Sequence, residues 1–133
     1  AEIAISEVRR GLFPMSASTI RLPRQISYAH AMELLLVGDA ISPKKAKKWG
    51  LINKVVPDGE ALAAARVYAD KIAANGPLAV VGIKEAVLAS DGLAETDAFA
   101  KEMEIGMVVM ASADAKEGPK AFLEKRTPDF QGK

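Results

Sequence analysis

Glu7 follows the apolar alternation of Ile3 and Ile5 and sits just ahead of a turn marked by Gly11 and Pro14. Strand ends that face a crevice are where α/β enzymes place reacting groups. A carboxyl group held there, its acidity tuned by a dry pocket, can take up or deliver a proton at a reacting atom. The same position also suits a solvated acid, the commoner state of a Glu taken at random. Phe122 and Lys125 form a second pair of interest. Three residues apart on a helix they are neighbours, which allows a core aromatic with a solvated ammonium or a flat ring presented beside a cation. Lys44, Lys45, Lys47 and Lys48 form the most basic cluster and read as the solvated face of a short helix rather than a phosphate site. His30 is the only histidine, and one imidazole makes no metal cage. Trp49 is expected to pack the short helix onto its neighbours.

The elements that must position these residues follow from periodicity and caps. Residues 3–8 read as a short strand with period two, followed by a turn. A helical turn over 19–22 is expected to stop at Pro23. Ser27 is an N-cap for a helix to residue 36 whose buried face carries Ala31, Met32, Leu35 and Leu36, with Gly38 closing it. Ser42 and Pro43 start a short helix that stops at Gly50. Residues 51–56 read as a second small strand, bounded by Pro57. Beyond it the chain is almost all helix: 58–75, 77–90, 95–110, and a last segment capped by Ser112 and interrupted at Gly118 and Pro119. Residues 128–133 are expected to form a loose tail.

Two short strands make no independent sheet, since about three with a covered face are needed. Ile3 and Ile5 therefore call for neighbours. The chain opens inside this alternation, without a Met or a basic-then-apolar leader, and is expected to be a piece of a longer protein. The helical half carries wide apolar stripes, Leu62, Ala65, Ala69 and Ile72 on one helix and Phe99, Met103, Met107 and Met110 on another. Such stripes suit the domain's own core or a second subunit. Within 133 residues there is room for one domain and its core. A net charge of +1 gives no global field toward nucleic acid or an anionic membrane. The longest apolar runs fall far short of the roughly 20 residues a bilayer span needs. The absence of Cys removes disulfide and thiolate chemistry and fits a cytoplasmic setting.

Several segments, taken in order, resemble the crotonase (enoyl-CoA hydratase/isomerase) superfamily. Glu7-Val8-Arg9-Arg10-Gly11-Leu12-Phe13-Pro14 looks like its Glu-x-x-x-Gly-x-x-Pro turn. Arg21-Leu22-Pro23-Arg24 is similar to its Arg-Leu-x-Arg segment. The run Ala31 to Gly38, with Ile41 and Ser42, resembles its Ala-x-Glu, leucine-rich signature. Ala46 and the run Gly50 to Pro57 look like its Gly-Leu-Val-x-x-Val-x-Pro element. Glu117-Gly118, Ala121-Phe122 and Glu124-Lys125-Arg126 resemble its closing Glu-Gly-x-x-Ala-Phe-x-Glu-Lys-Arg.

The resemblance implies an α/β fold: the end of a crotonase-type β/α spiral core over residues 1–57, then a mostly helical assembly (trimerisation) region over 58–133. It implies an enzyme that adds water across the double bond of a 2-enoyl-CoA thioester. No separate cofactor is then needed, coenzyme A being part of the substrate. By resemblance Glu7 is one of two catalytic carboxylates. The second, and the oxyanion hole, lie upstream in the family and outside these residues, so the segment alone is expected to be inactive. Phe122 and Lys125 would touch the adenine and the phosphate-bearing ribose of CoA, commonly that of a neighbouring subunit in a homotrimer or dimer of trimers. A flat aromatic beside a cation suits such a nucleotide. Neither nucleic acid nor membrane is implied as a partner. Enoyl-CoA isomerisation and a non-catalytic helical assembly module remain alternatives. One departure stands out: Met15, Ser16, Ala17 and Ser18 follow the proline where many hydratases have a glycine-rich turn, leaving fewer left-handed backbone options.

Overall fold

The computed structural model describes residues 1–133. After a 3-10 turn at Glu7–Arg10 come seven helices: α1 Ser18–Gln25, α2 Tyr28–Val37, α3 Pro43–Lys48, α4 Ala61–Ala73, α5 Pro77–Ala89, α6 Glu95–Met110 and α7 Ala113–Leu123. The expected strands do not form. Ile3 and Ile41 make one isolated antiparallel bridge, with N–H···O distances of 3.1 and 2.8 Å. Residues 51–56 stay irregular, although Leu51, Ile52, Val55 and Val56 are half-buried. The chain is mostly helical, as expected beyond residue 57, whereas the end of an α/β spiral core expected over residues 1–57 is not formed as a sheet. The physical reason is the one that made the strands orphans, since a pair of short extended segments without a third cannot complete a ladder.

The chain forms two compact units, Ala1–Ala61 and Leu62–Lys133. In the first, Leu22, Ile26, Ala31, Leu34, Leu35, Ile41 and Ala46 make the core, and Ile3, Ile5, Trp49, Leu51 and Ile52 pack against it. α2 begins where Ser27 Oγ accepts the His30 N–H at 3.4 Å, and it ends at Gly38, whose φ is 71°. Its buried face is Ala31, Leu34 and Leu35, whereas Leu36 is 62% exposed. The run of apolar residues at 34–37 wraps more than one face, and helical spacing from Ala31 selects positions 34 and 35. α1 passes through Pro23 instead of stopping there. Pro23 lacks the N–H that would bond back to the Thr19 carbonyl. The Ile26 N–H nonetheless bonds to Leu22 O at 3.1 Å, and both flanking side chains are buried. Ahead of α1, Ser16 and Ala17 take φ of 62° and 63°, so this turn is left-handed without glycine. Such residues carry strain of order 1–3 kcal/mol each.

In the second unit α5 crosses α6 closely at Gly82, where an added Cβ would lie 2.8 Å from Val109 Cγ2. α4 and α6 bury no residue. Leu62 and Ile72 on α4 are 65% and 51% exposed, and Phe99, Met107 and Met110 on α6 are 62%, 61% and 70% exposed. The stripes are thus not buried by the unit that carries them. No single helix is long and apolar enough to cross a membrane.

α7 is also uninterrupted, with Pro119 inside it. Its first turn is capped by Ser112, whose hydroxyl accepts the Ala115 N–H at 3.0 Å, and fully buried Ala121 holds its last. The tail is not loose. Buried Asp114 accepts the Gln131 N–H on Oδ1 and the Gly132 N–H on Oδ2, both at 2.8 Å. The Ala113 and Asp114 amides in turn donate to the Lys133 main-chain oxygen at 2.6 and 3.2 Å. The Phe130 ring lies against Gly76 and Gly118, where added Cβ atoms would come within 3.7 Å. A carboxylate that accepts two amides is a stronger anchor than tail composition suggests. Asp114→Ala should release residues 128–133, raising their amide exchange, and should lower stability by about 1–3 kcal/mol, measured by denaturant unfolding.

Candidate functional site

Glu7 opens the 3-10 turn rather than closing a strand. The turn is made by its own backbone: the Arg9 N–H bonds to Ser6 O at 3.2 Å, the Gly11 N–H to Val8 O at 3.1 Å and the Leu12 N–H to Glu7 O at 3.0 Å. Gly11, at φ 68°, supplies the left-handed residue that such a closure requires. The two adjacent cations are taken elsewhere. Arg9 pairs with Asp39 at 2.9 Å, and Arg10 Nη1 donates to Ser6 Oγ at 3.0 Å. Half-buried Glu7 is followed by exposed Leu12, Phe13 and Met15, so the carboxylate stands at the head of an apolar segment.

The turn is seated on the end of α2. Gly38 faces it so closely that a Cβ there would lie 2.9 Å from Arg9 Cγ and 3.0 Å from Val8 Cγ1. The Arg9–Asp39 pair adds a second tie one residue further on, although both partners are well exposed and the pair contributes little by itself. The position of Glu7 therefore rests on a glycine contact that no strand pattern reveals.

Phe122 and Lys125 lie in the second unit, at and beyond the end of α7. Phe122 is 83% exposed, which removes the reading of a core aromatic. Lys125 is not helical: α7 stops at Leu123, and Lys125 has a φ of 53°. The neighbour relation expected from helical spacing is thus replaced by a backbone bond, the Lys125 N–H donating to Phe122 O at 3.2 Å. On either side of Lys125 runs an ion-pair network. Arg126 holds Glu117 with two bonds, Nη1–Oε1 at 2.5 Å and Nη2–Oε2 at 3.0 Å, and Glu124 through Nε at 2.6 Å. Glu117 Oε1 also accepts the Asp129 N–H at 3.0 Å. The Arg126 guanidinium, helped by that amide, lowers the Glu117 carboxyl from 4.5 to about 2.

Sequence reasoning placed Glu117 and Arg126 in a motif but did not pair them, because nine residues apart is not a helical neighbour spacing. Asp114 escaped for a similar reason, its partners being tail amides. In the first unit His30 stacks on Trp49 with centroids 4.4 Å apart and planes 11° off parallel. Lys45 Nζ sits 4.5 Å from the Trp49 ring centroid and 2.9 Å from Glu33 Oε1. The lysine cluster therefore includes one committed cation. No group of three or more His, Asp or Glu is placed to hold a metal ion.

A model of the enoyl-CoA hydratase/isomerase family matches residues 1–133. The chain is similar to enoyl-CoA hydratase EchA19 of Mycobacterium tuberculosis, at 49% identity over all of this chain and 50% of that protein. It is 37% identical to carnitinyl-CoA dehydratase of Proteus mirabilis, again over all of this chain and 52% of the other. Among solved structures it matches an enoyl-CoA hydratase of Mycobacterium tuberculosis with a TM-score of 0.95 at 44% identity, covering all of this chain and 53% of that one. An enoyl-CoA hydratase of Bacillus anthracis gives a TM-score of 0.95 at 36% identity, covering all of this chain and 52% of the other. The chain spans about half the length of the curated relatives it matches.

The geometry makes two expectations. Gly38→Ala should displace the Glu7 turn and cost about 1–3 kcal/mol, since a left-handed φ and a close contact are both violated; denaturant unfolding and a crystal structure of the variant check it. The second is acid sensitivity. Because the Glu117 carboxyl is lowered in the fold, its contribution to stability is complete above about 4.5 and is lost as pH falls toward about 2. Thermal unfolding followed across that window should slope less steeply in Glu117→Gln than in the parent chain.

Proposed function

Because the chain belongs to the enoyl-CoA hydratase/isomerase family, we propose that it is the C-terminal portion of an acyl-CoA enzyme that adds water across the double bond of a 2-enoyl-CoA thioester. The family match over the whole chain carries this reading. Two features of the fold support it: Glu7 heads a turn locked against Gly38, and Phe122 and Lys125 are joined by a backbone hydrogen bond at the end of α7.

Hydration requires a water oxygen to bond to the β-carbon and a proton to reach the α-carbon. Electron density passes meanwhile onto the thioester oxygen, where two N–H donors would stabilise it. Glu7 is assigned one of the two proton-handling roles, either taking the proton from water or delivering one to carbon. Its neighbouring arginines are engaged with Asp39 and Ser6, so neither is spent on holding the Glu7 carboxylate. The second carboxylate and the oxyanion donors are assigned to the half of the enzyme that precedes these residues in its relatives. Coenzyme A enters as part of the substrate, and no separate cofactor is assigned. Phe122 and Lys125 are assigned to the adenine and the phosphate-bearing ribose, with the nucleotide supplied by a neighbouring subunit of a homotrimer or dimer of trimers. The uncovered stripe of Phe99, Met103, Met107 and Met110 supports such an assembly.

In the complete enzyme, Glu7→Gln should keep shape and hydrogen bonding and lower turnover of crotonyl-CoA by about 10²- to 10⁴-fold, with acyl-CoA affinity little changed. Residues 1–133 assayed by themselves should show no turnover. Parental rates in the Gln variant, or turnover by the isolated segment, would remove Glu7 and the missing half from the reaction as assigned here.

A further inference from the structure

Ser6 stands at the N-cap of the turn that Glu7 opens, yet its hydroxyl caps no amide. A serine there ordinarily accepts an amide hydrogen from the first turn. In this chain Ser6 Oγ accepts instead from Arg10 Nη1 at 3.0 Å, and the Ser6 carbonyl oxygen lies 3.4 Å from the same nitrogen. The turn itself needs neither contact, since backbone bonds from Arg9, Gly11 and Leu12 already close it. What the two contacts fix is the direction of one guanidinium.

That direction matters because of the spacing. A 3-10 helix has three residues per turn, so side chains at i and i+3 eclipse one another. Glu7 and Arg10 stand in that relation, at the first and last residues of the turn. An opposite charge within about 4–6 Å favours the ionised form of a carboxyl group, and burial weakens the screening of such a pair. Glu7 is half-buried, so Arg10 is the ion-pair partner that the backbone offers it. Arg9 lies two residues along, does not face Glu7, and is taken by Asp39 at 2.9 Å. The titratable groups of α2, which packs against the turn, are placed elsewhere: Glu33 holds Lys45, His30 stacks on Trp49, and Tyr28 is exposed.

We propose that Ser6 is a positioning residue: it draws the Arg10 guanidinium back along the turn and keeps the Glu7 carboxylate out of an ion pair, free to exchange a proton. The inference rests on the proton-handling role proposed for Glu7. A carboxylate locked to a guanidinium is a weaker base, and its protonated form is scarcer near neutral pH. Either of the two proton-handling roles therefore suffers when the pair forms. Ser6 need not touch the substrate, because it acts on Glu7 only through the place it gives Arg10.

The test uses the complete protein, with crotonyl-CoA as substrate, in Ser6→Ala, Ser6→Thr, Arg10→Gln and the double variant Ser6→Ala/Arg10→Gln. A crystal structure of Ser6→Ala should show the Arg10 guanidinium within about 4 Å of a Glu7 carboxylate oxygen. The limb of its pH–rate profile governed by Glu7 should move about one pH unit lower. Near neutral pH its kcat should fall about 3- to 10-fold, with KM little changed. Added salt should restore part of that rate, because the new pair lies near the surface. Ser6→Thr, which keeps the hydroxyl, and Arg10→Gln should behave as the parent protein, and the double variant should regain the parental profile. Arg10 still turned away from Glu7 in the Ser6→Ala structure would overturn the proposal whatever the rates. A loss that persists in the double variant would overturn it too, since Ser6 would then act through the fold and not through Arg10. An Arg10–Glu7 pair with an unmoved profile would overturn the proton-handling role of Glu7, and the proposal with it, a failure that parental rates in Glu7→Gln would show separately.

Discussion

A helix leaves its first amides and its last carbonyls without partners inside it, and something else must satisfy them. In this chain the manner in which each end is satisfied sets where the candidate side chains Glu7, Phe122 and Lys125 stand. Gly11 closes the turn that Glu7 opens, and Gly38 ends α2 with so little bulk that the same turn can rest on it. At the far end of the chain the first amides of α7 meet the tail, while its last carbonyls are taken by Lys125 and Arg126. The ends of short helices do for this protein what strand ends do in a sheet enzyme, presenting side chains from a backbone that has no further bonds to make.

Burial divides differently. The first unit closes a core around Leu34, which is 2% exposed, and Ala31 and Ala46, which are fully buried. In the second unit α4, α5 and α6 keep most of their large apolar side chains in the open, and Gly82 is the one residue of these three helices that is buried. Apolar area on that scale is normally covered, since each large side chain left exposed forgoes about 1.5–3 kcal/mol. Besides the close crossing of α5 and α6 at Gly82, polar anchors order the second unit at one edge, namely Asp114 on the tail amides and Glu117 on Arg126. A unit held by polar anchors at one edge and apolar on its helical faces is suited to docking against something else.

Much of this was legible in the residues. Ser27, Ser42 and Ser112 cap α2, α3 and α7 as their types and positions suggest, because an N-cap is a local bond between a hydroxyl and an amide three residues on. The bounds of α6 were legible for a related reason: its apolar and charged residues keep a helical period from end to end. The prolines at 23 and 119 misled, because the loss of one N–H is local while the burial of Leu22, Ile26 and Ala121 is not. The strands misled in the same sense. Alternation at 3–8 shows which side chains prefer burial, but a ladder also needs a second and a third backbone.

For the candidate site, order and type along the chain were enough to single out Glu7, Phe122 and Lys125, since a motif is a property of sequence. Their setting was not, because every contact that places them is long-range or depends on a dihedral angle. The Arg9–Asp39 pair spans 30 residues, and the Arg126–Glu117 pair spans 9. No local pattern encodes such separations. The left-handed turn at Lys125 was hidden for the opposite reason, as composition points to glycine wherever that conformation is needed. The sequence by itself determined which residues are candidates for chemistry and where most helices begin. Only the tertiary structure decided which backbone ends present those residues and which charges were left free, because those outcomes depend on contacts between parts of the chain that no local pattern links.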